Sequence, residues 1–425
     1  MITLLIVADD FTGALDTGVQ LAGCGAPTRV VTDPDFSPAN AAGAEVLVID
    51  AETRHLPPSQ AGAIVEGIVR RAVEQKVPYI YKKTDSALRG NVGAELGALL
   101  AASGEKALPF LPAYPQIDRC TRGGVHYIEG RPVAESVFGI DPFEPVRHSD
   151  IAGLIGAQSG VPVHSLPADA PAPEGQGIYV YDASSLADLE RAGQTLAAAG
   201  RLHISAGCAG FGAVLPRLLG LGRAQQPPKP RLDPRLLVVC GSVNPITVAQ
   251  LDAAEEAGFA RLRLTPRQKL EPGYWNTPEG EADRARIEAL LQANPRVLLD
   301  SNDAGGNGPT ADYAAGLGCG LEEMRVRIAS SIGDLVAGLL HSPAVGTLLM
   351  TGGDTLLQVM RCAGVRELEP LCELEKGVVL ARCTYRGCTR HVITKSGGFG
   401  QAALLTDLAA RLEAQAEENR NRSVR

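Results

Sequence analysis

The sequence predicts an α/β protein of two domains, each a mainly parallel sheet flanked by helices, with a β-hairpin insertion in the first. Three observations support this prediction. Short apolar runs alternate with amphipathic helical segments along the chain, as in β-α-β folds. The length of 425 residues exceeds what one ordinary core accommodates. A polar, proline-rich stretch at 225–230 reads as a linker, so we place the domains at 1–227 and 228–425.

The composition excludes several classes of protein. Hydrophobic residues make up 45% and charged residues 21%, as in globular proteins. The net charge of −8 provides no basic surface, so we expect no nucleic-acid or membrane partner. No apolar run is long enough to span a membrane and no signal peptide precedes the first strand, so we expect a cytoplasmic protein. The nine cysteines form no C-x-x-C pair and are predicted to be reduced thiols.

The first predicted strand ends in a pair of carboxylates. Residues 2–8 form an apolar run typical of a buried strand, and Asp9 and Asp10 follow it directly. Thr12 is a suitable N-cap for the helix predicted next. Ligands of α/β proteins bind at the carboxyl ends of parallel strands, so this turn is a candidate site. The acids could hold a metal, orient hydroxyl groups or accept a proton, and the helix N-terminus could bind an anion.

A second polar cluster follows the strand predicted at 78–82. It is the run Lys82-Lys83-Thr84-Asp85-Ser86-Ala87-Leu88-Arg89-Gly90. In a protein of net negative charge, this concentration of cations indicates an acidic small molecule, because Arg and Lys bind carboxylates and phosphates. Arg54 follows the strand predicted at 46–49. If that strand is parallel to the first, Arg54 lies at the same sheet edge as Asp9 and Asp10.

A β-hairpin is predicted at 125–133, with Glu129-Gly130 as its turn. His126 lies in this hairpin, where a histidine is more often a surface residue than a catalytic one. The preceding segment, 112–123, is predicted to be a long polar loop. We therefore assign no catalytic group to this part of the chain.

Glycine-containing turns follow three strands predicted in the second half. They are Gly241-Ser242-Val243-Asn244-Pro245, Gly352-Gly353-Asp354-Thr355 and Lys395-Ser396-Gly397-Gly398-Phe399-Gly400. Glycine allows close backbone approach, and the helix N-termini that follow direct N–H groups at phosphates. Three such turns in one domain predict a nucleotide site, although none has the P-loop or Rossmann pattern. A small-acid site and a nucleotide site together predict phosphoryl transfer.

These motifs together resemble the four-carbon acid sugar kinase family, which includes threonate, erythronate and 3-oxo-tetronate 4-kinases. The matching stretches run in family order over almost the whole chain: residues 8–14, 82–90, 112–127, 352–355 and 395–400. Residues 116–120 depart from the glycine-containing version common in the family. The resemblance implies an N-terminal acid-sugar-binding domain and a C-terminal ATP-binding domain, with ATP-dependent phosphorylation of the terminal hydroxyl of a four-carbon sugar acid.

The resemblance also implies roles for particular residues. The implied substrate-binding residues are Asp10, Arg54, Lys83, Thr84, Asp85 and Ser86. We add Arg89 on its charge and position. The implied ATP-binding residues are Ser242, Gly352, Gly353, Asp354, Thr355 and Gly398.

Our mechanistic hypothesis is in-line transfer. Asp9 or Asp10 accepts the hydroxyl proton, and Arg54, Lys83 or Arg89 holds the substrate carboxylate. Mg²⁺ is expected with ATP, but the sequence identifies no metal ligands. The main alternative is an ATP-dependent ligase that activates the carboxylate of a small hydroxy acid, and a third is a non-catalytic sensor. The alanine-rich helices could support a homodimer.

Overall fold

The computed structural model describes residues 2–141, 144–222 and 230–423. The chain divides into two compact units, Met1–Pro227 and Pro228–Arg425. Residues 225–229 of the proline-rich linker predicted from the sequence lie outside the described residues. No helix in the described part of the chain is long and apolar enough to cross a membrane.

The N-terminal unit alternates strands and helices. Its strands are β1 (Leu4–Ala8), β2 (Thr28–Val31), β3 (Val46–Asp50), β4 (Tyr79–Lys83), β5 (Ala107–Leu111), β6 (Arg119–Arg122), β7 (Val125–Ile128), β8 (Arg131–Pro132), β9 (Val163–Leu166), β10 (Gly177–Tyr181) and β11 (Ile204–Gly207). Its α-helices are α1 (Phe11–Gly23), α2 (Pro58–Glu74), α3 (Val92–Ser103), α4 (Ile151–Gly156), α5 (Leu186–Ala198), α6 (Ala209–Gly212) and α7 (Leu215–Leu219).

The main sheet of this unit has the order β2-β3-β1-β4-β11-β5-β10-β9, and each neighbouring pair is parallel. Every residue of β1 and β3 is buried, which explains why these strands are continuous apolar runs rather than alternating ones. Ala8, at the end of β1, pairs with Asp50 on β3 and with Lys83 on β4. The turns after these three strands therefore leave the sheet side by side, where the strand order reverses direction.

A small antiparallel sheet, β6-β7-β8, is inserted in this unit. The predicted hairpin is confirmed: Glu129 and Gly130, which link β7 and β8, both have positive φ. The predicted polar loop at 112–123 is wrong over Arg119–Arg122, which forms β6 and pairs with β7. Asp118 precedes β6 with φ of 54°, a left-handed conformation that aspartate tolerates better than most residues.

The C-terminal unit contains a second sheet. Its strands are β12 (Leu236–Cys240), β13 (Ala260–Arg263), β14 (Arg296–Asp300), β15 (Thr347–Thr351), β16 (Glu367–Glu375), β17 (Val378–Tyr385) and β18 (Cys388–Lys395). Its α-helices are α8 (Pro245–Glu256), α9 (Pro266–Leu270), α10 (Pro278–Ala293), α11 (Gly308–Gly316), α12 (Leu321–Leu339), α13 (Gly353–Cys362) and α14 (Leu404–Ser423).

The strand order in the second sheet is β13-β14-β12-β15-β18-β17-β16. The pairs from β13 to β18 are parallel, and β17 and β16 add antiparallel strands. The order reverses between β12 and β15, so the turns after these strands lie at a switch point. The predicted fold class, mainly parallel α/β sheets with a hairpin insertion, is confirmed. Strand β16 escaped prediction because its sequence, Glu367–Glu375, carries four glutamates and a proline.

Candidate active site

The carboxylates that follow β1 have different surroundings. Asp9 is almost completely buried, with 3% of its side chain exposed, whereas 21% of the Asp10 side chain is exposed. Asp10 is the N-cap of α1, and its Oδ1 accepts a hydrogen bond from the N–H of Gly13 at 3.2 Å. The expectation that Thr12 caps this helix is wrong, because Asp10 already occupies the extended cap position and Thr12 lies within the helix.

Arg54 lies against both carboxylates, as its predicted edge position required. Its Nε donates to Asp9 Oδ2 at 2.8 Å and its Nη2 to Asp10 Oδ1 at 2.6 Å. The backbone N–H of Arg54 also donates to the carbonyl of Asp9, which fixes the turn after β3 onto the turn after β1. Gly90 approaches closely here: a Cβ at Gly90 would lie 3.0 Å from Arg54 Cγ.

Opposite charges in the site keep Asp9 and Arg54 ionised. Burial by itself would raise the pKa of Asp9, but the positive charges of Arg54 and Lys83 outweigh burial and lower it. Burial would likewise lower the pKa of Arg54, but Asp10 and Asp9 raise it well above its usual value. Asp9 Oδ1 accepts no hydrogen bond from the described residues, and the hydrogen bonds of Asp10 in that part of the chain are made by Oδ1. Asp10, which is partly exposed, therefore keeps one carboxylate oxygen for a ligand, whereas Asp9 Oδ1 is buried and lies 3.9 Å from Lys83 Nζ.

Lys82 and Lys83 point to opposite faces of the sheet because side chains alternate along a strand. Lys82 is fully buried and pairs with Glu95 of α3 at 2.9 Å, so its role is structural. Lys83 instead lies in the site, with its Nζ 3.9 Å from Asp9 Oδ1. A Cβ on Gly13 would lie 2.4 Å from this Nζ and 2.4 Å from Asp10 Oδ1. Glycine at position 13 thus makes room for the lysine at the start of α1.

Asp85 and Arg89 form a bidentate pair within the second polar cluster. Arg89 Nε donates to Asp85 Oδ2 at 2.9 Å and Nη2 donates to Oδ1 at 3.1 Å. Asp85 Oδ1 also lies 3.8 Å from Arg54 Nη2, which joins this pair to the carboxylates after β1. Burial would raise the pKa of Asp85, but Arg89 and Arg54 hold it well below its usual range.

Thr84 and Ser86 differ in what they offer a ligand. The N–H and hydroxyl of Thr84 both contact the carbonyl of Gly207, so Thr84 attaches this turn to β11. Ser86 is partly exposed, and its Oγ accepts a hydrogen bond from Arg119 of β6. Of these two predicted substrate-binding residues, Ser86 presents its hydroxyl to the site.

His126 is not a surface residue, so that expectation is wrong. It is fully buried, with Nε2 3.0 Å from the carbonyl of Ser86 and Nδ1 3.1 Å from Thr121 Oγ1. Burial lowers the pKa of His126 to about 4, so the imidazole is neutral. Because the carbonyl can only accept, Nε2 carries the proton and Nδ1 accepts from Thr121. His126 supports the backbone at Ser86.

The three glycine turns of the C-terminal unit come together at one sheet edge. A Cβ at Gly241 would lie 1.7 Å from Thr355 Oγ1, and one at Gly352 would lie 3.1 Å from the Gly241 carbonyl carbon. A Cβ at Gly397 would lie 3.1 Å from Ser242 Oγ. Gly352 has φ of 104° and precedes α13. A side chain at any of these three positions would collide with or crowd the neighbouring turn, so glycine allows the turns to pack closely together.

The other residues predicted to bind the nucleotide lie at the same glycine turns or at the start of α13. Gly353 is the first residue of α13, and Gly398 lies beside Asn244, its Cβ position being 3.9 Å from Asn244 Nδ2. Asp354 lies in the first turn of α13 and pairs with Arg325 of α12 at 2.5 Å. This pairing leaves less negative charge at a helix N-terminus that would face phosphates.

Two further side chains in this region, Asn302 and Lys395, received no role from the sequence, although Lys395 begins the third glycine turn. Asn302, after β14, donates to the carbonyl of Ser242 at 3.1 Å. Lys395, at the end of β18, is buried and donates to Thr247 Oγ1 and to the carbonyls of Ser396 and Gly397. Burial lowers the pKa of Lys395 to about 8. Its position directly before Ser-Gly-Gly was the available signal.

Several groups at the C-terminal glycine turns are suited to an anion. The buried hydroxyls of Thr351 and Thr394, on β15 and β18, have no hydrogen-bond partner among the described residues. Main-chain N–H groups at the start of α13 and the charge of Lys395 suit an anion. In the described ranges no cluster of three or more His, Cys, Asp or Glu side chains is arranged to hold a metal ion. A Mg²⁺ ion that binds together with a nucleotide is held largely by phosphate oxygens and water, and it does not require such a cluster.

Comparison with known proteins supports the two-part organisation. A family model described as a sugar-binding N-terminal domain matches residues 4–215, and one described as a nucleotide-binding C-terminal domain matches residues 237–405. A D-threonate kinase of Salmonella typhimurium is 30% identical over 95% of this chain and 97% of its own. A D-threonate kinase of Bordetella bronchiseptica is 31% identical over 94% of this chain and 95% of its own. More distant relatives are named D-erythronate kinase and 3-oxo-tetronate kinase, each 27% identical.

A solved structure from Salmonella typhimurium LT2 has the same fold. It superposes with a TM-score of 0.78 over 97% of this chain and 100% of that chain, at 22% identity.

Proposed function

The chain belongs to the four-carbon acid sugar kinase family, and on that premise we propose that it transfers the γ-phosphoryl group of ATP to the terminal hydroxyl of a four-carbon sugar acid. D-threonate is the first candidate, because the relatives at 30 and 31% identity are named for it. Erythronate and 3-oxo-tetronates follow from more distant relatives.

The observation that carries this proposal is the position of Asp10 and the contacts that it makes. It forms an ion pair with Arg54, it is fixed as the N-cap of α1, and it keeps one carboxylate oxygen for a ligand in the described structure. A sugar hydroxyl must lose its proton as it attacks phosphorus, so a kinase of alcohols uses such an acceptor. A carboxylate that attacks ATP is already ionised and needs none. Asp10 therefore favours a hydroxyl kinase over the ligase.

The proposed chemistry is a single in-line displacement. A bond forms between the terminal hydroxyl oxygen and the γ-phosphorus while the bond from that phosphorus to the β–γ bridging oxygen breaks. The hydroxyl proton passes to Asp10 Oδ2, and ADP leaves. Asp9 and Lys83 orient the hydroxyl end of the acid, and Arg54 holds both carboxylates in place.

The proposed nucleotide site is formed by the three glycine turns. Ser242, Gly398 and the first turn of α13, Gly353 to Thr355 after Gly352, contact the phosphates of ATP. Main-chain N–H groups and Lys395 provide positive potential without bulky side chains. Mg²⁺, when bound with ATP, supplies charge neutralisation of the transferring phosphoryl group.

The test measures ADP formation by the purified protein with Mg²⁺-ATP and each of D- and L-threonate, D- and L-erythronate and their 3-oxo derivatives. We expect strong turnover with one of them and a phosphomonoester product by ³¹P NMR. A hydroxylamine-trappable acyl phosphate or adenylate would instead establish the ligase. Nucleotide binding without turnover of any of these acids would contradict the proposed substrate class.

A further inference from the structure

Arg119, in the N-terminal site, forms no ion pair with a carboxylate of the described residues. Arg54 pairs with Asp9 and Asp10, and Arg89 pairs with Asp85. Arg119, by contrast, makes no ion pair with any carboxylate in residues 2–141, 144–222 or 230–423. Arg119 therefore differs from Arg54 and Arg89, the two arginines that the sequence singled out, because each of those forms an ion pair.

Arg119 is held in place from two sides. Its Nη1 donates to the hydroxyl of Ser86, and its guanidinium lies 5.0 Å from the centre of the Phe138 ring. Arg89 also lies over that ring, at 5.2 Å from its centre. The N–H of Val146 donates to the carbonyl of Phe138 at 3.0 Å, which fixes the segment that carries the ring. Stacking on an aromatic ring orients the planar guanidinium without neutralising it.

This arrangement is costly unless an anion completes it. Burial lowers the pKa of Arg119, and the negative charge of Asp85 opposes that shift only in part, although an arginine stays protonated at neutral pH. A buried cation that has no direct ion pair loses hydration that no protein group fully replaces. The free donors of a guanidinium match the two oxygens of a carboxylate in a bidentate geometry.

We propose that Arg119 binds the carboxylate of the sugar acid, with the Ser86 hydroxyl as a second donor. This inference rests on the proposed function and identifies which end of the acid lies where. Arg54 Nη2 contacts Asp10 at 2.6 Å and Asp85 at 3.8 Å, and Ser86 follows Asp85 in the chain. The acid then extends from Arg119, past Asp85, toward Asp10, and its far hydroxyl meets the base.

The same geometry explains why Arg54 and Arg89 are poorer anchors. A substrate carboxylate at Arg54 would have to compete with Asp9 and Asp10, and one at Arg89 would compete with Asp85. In either place the substrate carboxylate would lie within a few ångströms of a protein carboxylate, and the two negative charges would repel each other. Arg119 also selects for acids over neutral sugars, because an uncharged ligand leaves its charge unpaired.

The test compares Arg119→Gln with Arg119→Lys and with a matched control, Arg122→Gln. Arg122 lies on the same strand, but it is exposed and donates to Ser184 Oγ at 3.0 Å. The substrates are D-threonate (or whichever acid the wild type turns over best) and its neutral amide. We expect Arg119→Gln to raise the KM for the acid about 100-fold, the usual scale for a charged hydrogen-bonded pair, with the KM for ATP unchanged.

The preference for acid over amide should collapse in Arg119→Gln, recover in part in Arg119→Lys and stay at the wild-type value in Arg122→Gln. A purely structural role would reduce turnover of both substrates equally and would overturn the inference. So would loss of the preference in Lys83→Met but not in Arg119→Gln. If Arg119→Gln is inactive, calorimetric binding of the acid decides: retained affinity contradicts the inference, and lost affinity with retained ATP binding supports it.

Wild-type protein that turns over no sugar acid would count against the proposed function itself. Wild-type turnover with an unchanged KM for the acid in Arg119→Gln would overturn only the role of Arg119.

Discussion

The Arg54 guanidinium joins Asp9 and Asp10 into one unit: its Nε lies 2.8 Å from Asp9 Oδ2 and its Nη2 lies 2.6 Å from Asp10 Oδ1. The three residues follow adjacent parallel strands, β1 and β3. Without this cation, the negative charges of the two neighbouring carboxylates would repel each other. Arg54 therefore orients both acids and helps to lower the pKa of Asp9, while Asp10 keeps one oxygen for a hydroxyl group.

Asp10→Asn should reduce kcat by about 10² to 10⁴, the range for loss of a general base, with a smaller effect on the KM values. Folding should be preserved, because Asn is as good an N-cap as Asp. Steady-state kinetics and circular dichroism measure both effects. Asp150→Asn is the matched control, since Asp150 caps α4 through the N–H of Gly153 in the same way. Unchanged kcat in a folded Asp10→Asn protein would exclude Asp10 as the base.

Gly13→Ala should impair activity more than stability. The new Cβ would occupy space 2.4 Å from Lys83 Nζ and from Asp10 Oδ1, so the lysine and the base must both move. Alanine within a helix otherwise favours folding by about 0.5–1 kcal/mol. Thermal unfolding and kcat/KM, measured together, separate the two effects. Gly23→Ala, in the same helix with nothing within 4 Å of the new Cβ, should leave activity intact. Equal activity in both variants would contradict this account.

Lys395 should make nucleotide binding depend on pH. Its pKa is about 8, lowered by burial, so its positive charge is present at pH 7 and largely lost at pH 9. The Kd for ATP, measured by calorimetry, should therefore rise several-fold between these pH values, because phosphates bind a cation more tightly. Nearby Cys240 stays neutral over this range, since burial raises its pKa to about 12.

Lys395→Met should bind ATP weakly at pH 7 and show little further change at pH 9. Lys106→Met, which removes an exposed lysine from the N-terminal unit, should retain the wild-type pH dependence. A wild-type pH dependence that persists in Lys395→Met would show that another group is responsible.

His126 should make the protein less stable below pH 6.5. Its folded-state pKa is about 4, lowered by burial, against about 6.5 for an unfolded histidine. Between these values the unfolded chain binds the proton and the folded chain does not, so stability falls as pH falls. The loss between pH 7 and pH 5 should be about 2 kcal/mol, measured by urea unfolding followed by circular dichroism.

His126→Gln keeps a donor for the Ser86 carbonyl and should reduce this pH dependence. The exposed His148 provides the control, and His148→Gln should retain the dependence. If the two variants behave alike, His126 is not the responsible group.

Much of the architecture was predictable because its signals are local. Buried parallel strands are continuous apolar runs, and the turns that leave them carry glycine, acids or cations, so β1, β3, β4, β12 and β15 were identified from pattern alone. The family resemblance rests on the same turns. Strands β6 and β16 were missed because their residues are polar and their partners supply the pairing.

Contacts between residues that are far apart in the chain could not be predicted from local sequence pattern. Lys82 and Lys83 are neighbours in sequence, yet one pairs with Glu95 in the core and the other faces Asp9. His126 was expected at the surface because nothing local indicates that Ser86 and Thr121 enclose it. These outcomes depend on which strand and loop pack above each residue.

The fold class, the kinds of turn at the sheet edges and the family could be predicted from the sequence, because each depends on residues close together in the chain. The distribution of charge at the N-terminal site could not, because it depends on the tertiary structure. Arg54, Arg89 and Arg119 are chemically identical, but the fold pairs the first two with carboxylates and leaves the third beside Ser86 and Phe138. Electrostatic energy depends on distance and burial, and the fold alone sets both.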